Sequence, residues 1–171
     1  MPLFLMSCAS EQPPREEEQI KDFLRHAVSH KVNSISEIYA DIARFFDDLS
    51  NGKTSIQEFK YYSYGVNSLL QDNNFRGAEA ILFEQENEKL YQVLLKMNLP
   101  IINVSTIAQN ATNEELNQAA EAYLKLAELT GGNNEGSLAY CIGNEIINGH
   151  DVDGVLNKIQ TELEYLETLI N

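Results

Sequence analysis

Residues 112–132 read TNEELNQAAEAYLKLAELTGG, and this stretch decides the fold class. Thr112 followed by Glu115 is a reciprocal capping pair. The hydroxyl accepts from the backbone N–H three residues on, and the carboxylate reaches back to the N–H of the threonine. Leu116, Ala119, Ala120, Tyr123, Leu124 and Ala127 then recur at helical spacing, so one side of a cylinder is apolar. Gly131-Gly132 closes the run, because glycine takes a left-handed residue past a helix end without steric cost.

The same signals extend in both directions. Ile20, Phe23, Leu24, Ala27 and Val28 predict a helix near residues 15–31. Ser34 with Glu37 is a second capping pair, opening a helix that carries Ile35, Ile38, Tyr39, Ile42, Phe46 and Leu49 and stops at Asn51-Gly52. Ser55 with Glu58 opens a third, with Ile56, Phe59, Val66, Leu69 and Leu70 on its apolar side. Gly65 inside it marks either a close helix approach or a kink. The pattern weakens between Arg76 and Asn98, where Glu84 to Glu88 is strongly acidic and Pro100 stops the segment. Residues 101–108 (IINVSTIA) are read as a turn, since no partner strand exists for them. Leu138, Cys141, Ile142 and Ile146 form a shorter helix closed by Gly149. Asp151 caps the last helix, lined by Val152, Val155, Leu156, Ile159, Leu163, Leu166 and Ile170. The expectation is an all-α, single-domain antiparallel bundle or array of about six or seven helices over residues 15–171. Residues 1–14 form a tether ahead of it.

Composition narrows the function classes. A chain of 171 residues is long enough to need no disulfide framework. Twelve Lys and Arg against twenty-six Asp and Glu give a net charge of −14, which argues against a phosphate-tracking nucleic-acid binder. Two cysteines are too few for an all-cysteine zinc site. No stretch approaches the ~18 apolar residues of a spanning helix. The charge is uneven: Lys125 and Lys158 are the only basic residues after Pro100, facing 11 acidic ones. That half projects a negative field, which speeds encounter with a basic partner and repels anionic surfaces.

Leu5-Met6-Ser7-Cys8 resembles the lipobox of bacterial lipoproteins, and the small, polar and charged run Ala9 to Glu18, with Pro13-Pro14, resembles the tether that follows one. The resemblance implies a diacylglyceryl thioether on Cys8, and Ala9 after it implies an outer-membrane address facing the periplasm. Seven residues precede Cys8 and none is Lys or Arg, so the resemblance also implies a leader that begins further upstream. The alternative address is cytoplasmic, with the apolar start packing weakly on the domain or fraying from it. Cys141 reads as a small buried hydrophobe; a bridge to Cys8 would exclude lipidation.

Residues 47–58 (DDLSNGKTSIQE) resemble a degenerate EF-hand calcium loop. The likeness puts Asp47, Asn51, Ser55 and Glu58 at oxygen-ligand positions, with Gly52 at the sharp turn. Leu49 supplies no oxygen where one is usual, and Gly52 with the Ser55–Glu58 pair also has an ordinary reading as a helix stop and a helix start. The stretch from Gly149 to Gly154 is weaker still, with Gln160 where a closing carboxylate would stand. His26 and His30, four apart, could clip a metal, yet they stand opposite Phe23, Leu24 and Ala27 and read as a solvated face. Tyr61, Tyr62 and Tyr64 cannot all face inward, because neighbours on a helix differ by about 100°. The chain holds no Gly-rich phosphate loop, no Gly-x-Ser-x-Gly and no Cys-x-x-Cys.

These features point to a non-enzymatic acidic module that binds a protein of basic surface, and not nucleic acid. Its membrane contact would run only through the lipid on Cys8, in the manner of an adaptor or toxin-immunity lipoprotein. Glu114, Glu115, Glu121, Glu128, Glu162, Glu164 and Glu167 are the expected partner-binding residues. A calcium-binding helical protein and a metal-dependent enzyme using His26 and His30 are the alternatives.

Overall fold

The computed structural model describes residues 14–72, 77, 83, 87–132, 135–145 and 152–170. Among them there is no strand, and the protein is all-α. In chain order the helices are α1 (Pro14–Ser50), α2 (Ile56–Asp72), α3 (Glu88–Lys96), α4 (Leu99–Ile102), α5 (Val104–Asn110), α6 (Asn113–Thr130), α7 (Leu138–Tyr140) and α8 (Asp153–Thr168). A π-helical turn, Cys141–Glu145, continues α7.

α1 runs unbroken for 37 residues through the Ser34–Glu37 pair, which, against the expectation from its spacing, does not start a helix. Ser34 Oγ donates to the His30 carbonyl one turn back, as a mid-helix serine does. The physical reason is phase. Val28, Val32, Ile35, Tyr39, Ile42 and Phe46 are all fully buried and alternate spacings of four and three, so one stripe continues across the supposed boundary. No glycine or proline interrupts it.

The capping pairs at Ser55 and Thr112 do start helices. Thr112 N–H donates to Glu115 Oε2 at 2.7 Å, and Glu115 N–H returns to Thr112 Oγ1 at 3.3 Å. Asn87 caps α3 by accepting from Leu90 N–H at 3.0 Å. Pro100, read as a stop, stands in the first turn of α4, where its missing N–H costs nothing. Residues 101–108 are the end of α4 and most of α5, helical as the missing partner strand implied. Gly65 is exposed, and a Cβ built there meets nothing within 4 Å, so it serves no close approach. Gly149 and Asp151 lie outside the described residues, as does Cys8.

α6 packs along α1, and the two are antiparallel. Ser50 Oγ reaches Asn117 at one end, and Gly132 N–H reaches Asn33 Oδ1 at the other. Between these ends the inward column of α6 is Leu116, Ala119, Tyr123, Leu126 and Thr130, every one buried. Near the far end the backbones approach closely. A Cβ at Gly131 would lie 1.8 Å from Ser36 Oγ and 2.4 Å from Ser36 Cβ. Gly131 therefore does more than end a helix: it lets α1 pass.

The rings form a continuous ladder across three helices. Tyr123 meets Tyr39 at 5.9 Å and stacks on Phe46 at 5.4 Å. Phe46 meets Phe59 of α2 at 5.0 Å, and Phe45 stacks on Tyr62 at 4.1 Å. Such pairs add about 0.5–1.5 kcal/mol each beyond their burial. The two buried phenols find partners in the connector around α4: Tyr39 donates to the Met97 carbonyl, and Tyr123 to the Pro100 carbonyl at 2.8 Å. Burial pushes both phenols far above their ordinary range, so they act as fixed donors. On the other side α8 lies against α6, burying Leu156, Ile159, Leu163 and Leu166.

Candidate functional site

The turn at residues 47–58 is a helix stop followed by a helix start. Gly52 takes φ +68°, Gly52 N–H donates to Leu49 O at 3.1 Å, and Lys53 N–H donates to Asp48 O at 2.8 Å. These bonds satisfy the last carbonyls of α1. Asn51 Nδ2 donates to Asp47 O and Oδ1 at 2.8 and 3.1 Å. The Lys53 ammonium lies 3.2 Å from Asp48 and 3.7 Å from Asp47. Glu58 Oε2 accepts from Ser55 N–H and Ser55 Oγ at 2.9 Å and from Thr54 Oγ1 at 3.1 Å. Those bonds hold the Glu58 carboxyl below its ordinary value, the backbone N–H contributing most. The four oxygen-bearing residues of the calcium reading are thus all engaged with protein groups in this turn.

Among the described residues no three or more His, Cys, Asp and Glu side chains come together as a metal-holding group. His26 and His30 are exposed on α1. Cys141 is buried on the inner side of the π-helical turn, where the sequence placed it. Tyr61 and Tyr64 are exposed, 70% and 72%, while Tyr62 turns in against Phe45. Ile20 and Phe23, read as core, are exposed.

The acidic residues occupy two neighbouring helices. Glu114, Glu121 and Glu128 stand seven residues apart on α6, hence on one side of it, and all three are exposed. Glu115 is occupied in capping Thr112. On α8, Glu162 turns toward α6 and pairs with Lys125 at 3.5 Å, while Glu164 is exposed and accepts from Gln160 at 2.7 Å. Glu167 is half-buried. Tyr165 donates to Gln118 Oε1 at 3.1 Å across the α6–α8 seam. Its phenol is raised by partial burial and by the charges of Glu115, Glu121 and Glu162 around it. The expected set therefore divides: the α6 column is exposed, and Glu162 of the α8 group is part of the helix contact.

The structure also shows a feature the sequence reading missed. Along the outer side of the α1–α6 pair runs a furrow of about 760 Å³, lined by Ala40, Ala43, Arg44, Asp47 and Asp48 from α1 and by Asn117, Ala120, Glu121 and Leu124 from α6. Three alanines make its floor shallow in side-chain volume, and Leu124, 50% exposed, stands on its wall. Helical spacing alone places Ala120 and Leu124 in the core stripe of α6. The inward column is one position away, at Ala119 and Tyr123, which turns Ala120 and Leu124 to the flank. The signal available in the sequence was the pair of small residues Ala40 and Ala43, three apart on the same side of α1 as Asp47.

The chain matches no protein-family model, no curated protein and no solved structure.

Proposed function

We propose that this protein is a non-enzymatic docking module, and that it engages a basic protein through the acidic outer side of α6. The carrying observation is the column Glu114, Glu121 and Glu128, exposed and in line, beside a furrow rimmed by Asp47, Asp48 and Glu121. Such a column attracts positive charge over about a Debye length and repels nucleic acid and anionic lipid headgroups. The net charge of −14 strengthens the same field. In this reading the domain is held at the bacterial envelope by a lipid on Cys8, six residues ahead of Pro14, where α1 begins. An adaptor or a toxin-immunity role both fit a module that covers a basic surface.

The test compares the full-length gene product with a Glu114→Lys/Glu121→Lys/Glu128→Lys variant in cells of its source. The unaltered protein is expected to retain a basic protein partner whose association slows as salt rises, and the variant to lose it with its melting temperature unchanged. An identical partner set for both, or association indifferent to salt, would end the acidic-surface reading. The tether is checked separately by metabolic labelling with an alkynyl fatty acid: label on the protein that vanishes in Cys8→Ser supports it, and absence of label removes it.

A further inference from the structure

We infer that the furrow between α1 and α6 receives one amphipathic helix from a basic partner, aliphatic side chains down and basic side chains toward its acidic rim; this deepens the docking reading above and rests on it. The floor is made of Ala40, Ala43 and Ala120, and small side chains let another backbone come close. Two antiparallel helices side by side leave a trough whose direction a third helix follows. The lining runs from Asn117 to Leu124 on α6 and from Ala40 to Asp48 on α1, about 12 Å of helix, so the trough holds two to three turns of an occupant. Leu124 offers an apolar contact midway along α6, with half of its surface left open by the described residues. A helix-in-groove contact is read through side chains three and four apart, which is the spacing of the alanine floor itself.

Charge selects the occupant. Among the lining residues Asp47, Asp48 and Glu121 outnumber Arg44, and Glu114 and Glu128 continue the acidic line along α6. Lys53 sits on Asp47 and Asp48 at the turn, and Arg44 is held by Asp41, so Asp41, Asp47, Asp48 and Glu121 still outnumber these two cations. A second copy of this chain would bring acidic against acidic surface, and an anionic membrane would do the same. A lysine-rich helix with an aliphatic stripe meets both the floor and the rim.

The probe is a synthetic peptide of about 18 residues, leucine along one side and lysine elsewhere, set against a peptide of the same composition with its leucines spread round the helix. Methyl resonances of Ala40, Ala43, Ala120 and Leu124 report where each binds. The amphipathic peptide is expected to shift those four and to bind about tenfold more tightly than the rearranged one, a difference of about 1.4 kcal/mol. Ala120→Leu, which fills the floor, is expected to remove that advantage. Glu121→Lys, at an exposed position, is expected to weaken binding by a similar factor and covers the case in which Ala120→Leu does not fold. Equal binding of the two peptides, with shifts near Glu114 and Glu128 and none in the furrow, would overturn the groove while leaving the acidic-surface reading intact. So would failure of both peptides to bind while the charge-dependent cellular partner is retained. Loss of both the peptides and the cellular partner would overturn the two readings together. Shifts of the same four methyls on raising protein concentration alone, or on adding phosphatidylglycerol vesicles, would assign the furrow to a second copy or to lipid and sink the helix proposal.

Discussion

The two sides of the α1–α6 pair are built from the same pair of helices and differ in side-chain size. The inner side carries Tyr39, Ile42, Phe46 and Tyr123, all fully buried, with rings interlocked and phenols bonded to carbonyls of the α4 connector. The outer side, one residue round on each helix, carries Ala40, Ala43 and Ala120 beneath Leu124 and an acidic rim. Large side chains consume the space between helices and hold the fold; small ones leave space and offer it to something else. Stability and binding are thus carried by opposite sides of one helix pair, so they should respond to different substitutions.

The strongest way to break the inner side is Phe46→Ala, which empties the centre of the ring ladder. A loss of about 3–5 kcal/mol is expected in urea unfolding. A loss under about 1 kcal/mol would mean that the ladder does not hold the pair together. Next is Gly131→Ala. Its new methyl would overlap Ser36 unless the helices shift, so a loss of about 1–3 kcal/mol is expected. If that variant melts with the parent, α1 and α6 do not approach as described.

A subtler test uses pH at the start of α6. The backbone N–H and then the hydroxyl of Thr112 hold the Glu115 carboxyl below its ordinary 4.5. A depressed carboxyl stabilises the fold above that ordinary value, and the contribution disappears as pH falls through the lowered one. The stability gap between the protein and Glu115→Gln should be widest at neutral pH and should close as the solution is acidified below about 4.5. A gap that stays constant with pH would show that the carboxylate charge plays no part in the cap. The smallest effect belongs to the outer side: Leu124→Ser, at a half-buried position, should cost about 1 kcal/mol while weakening capture of the amphipathic peptide. A large loss of stability there would make the furrow wall part of the core and collapse the contrast between the two sides.

Chemically similar signals had different outcomes. Thr112–Glu115 and Ser34–Glu37 are both a hydroxyl followed three residues on by a glutamate. The first starts a helix, because Asn110-Ala111 leaves the helical path there and the carboxylate has a free N–H to meet. The second lies inside α1, because Val32, Ile35 and Tyr39 have one continuous surface on which to pack, and an N–H already bonded within the helix needs no cap. Leu124 was misplaced for a related reason: hydrophobic spacing of three and four is satisfied by two adjacent columns on α6, and only the partner helix chooses between them.

The sequence alone determined the all-α class, the capping pairs at Ser55 and Thr112, the glycine stops at Gly52 and Gly131-Gly132, the burial of Cys141 and the acidic bias of the second half. These follow from local chemistry: a hydroxyl three residues from a carboxylate, a residue without Cβ, a count of charges. Tertiary structure alone decided that α1 runs unbroken, that Gly131 is needed for a neighbour's passage, and that Ala40, Ala43 and Ala120 line one furrow. Each of those depends on which residues from distant parts of the chain face each other, and that distance is set by packing between helices, which no local spacing encodes.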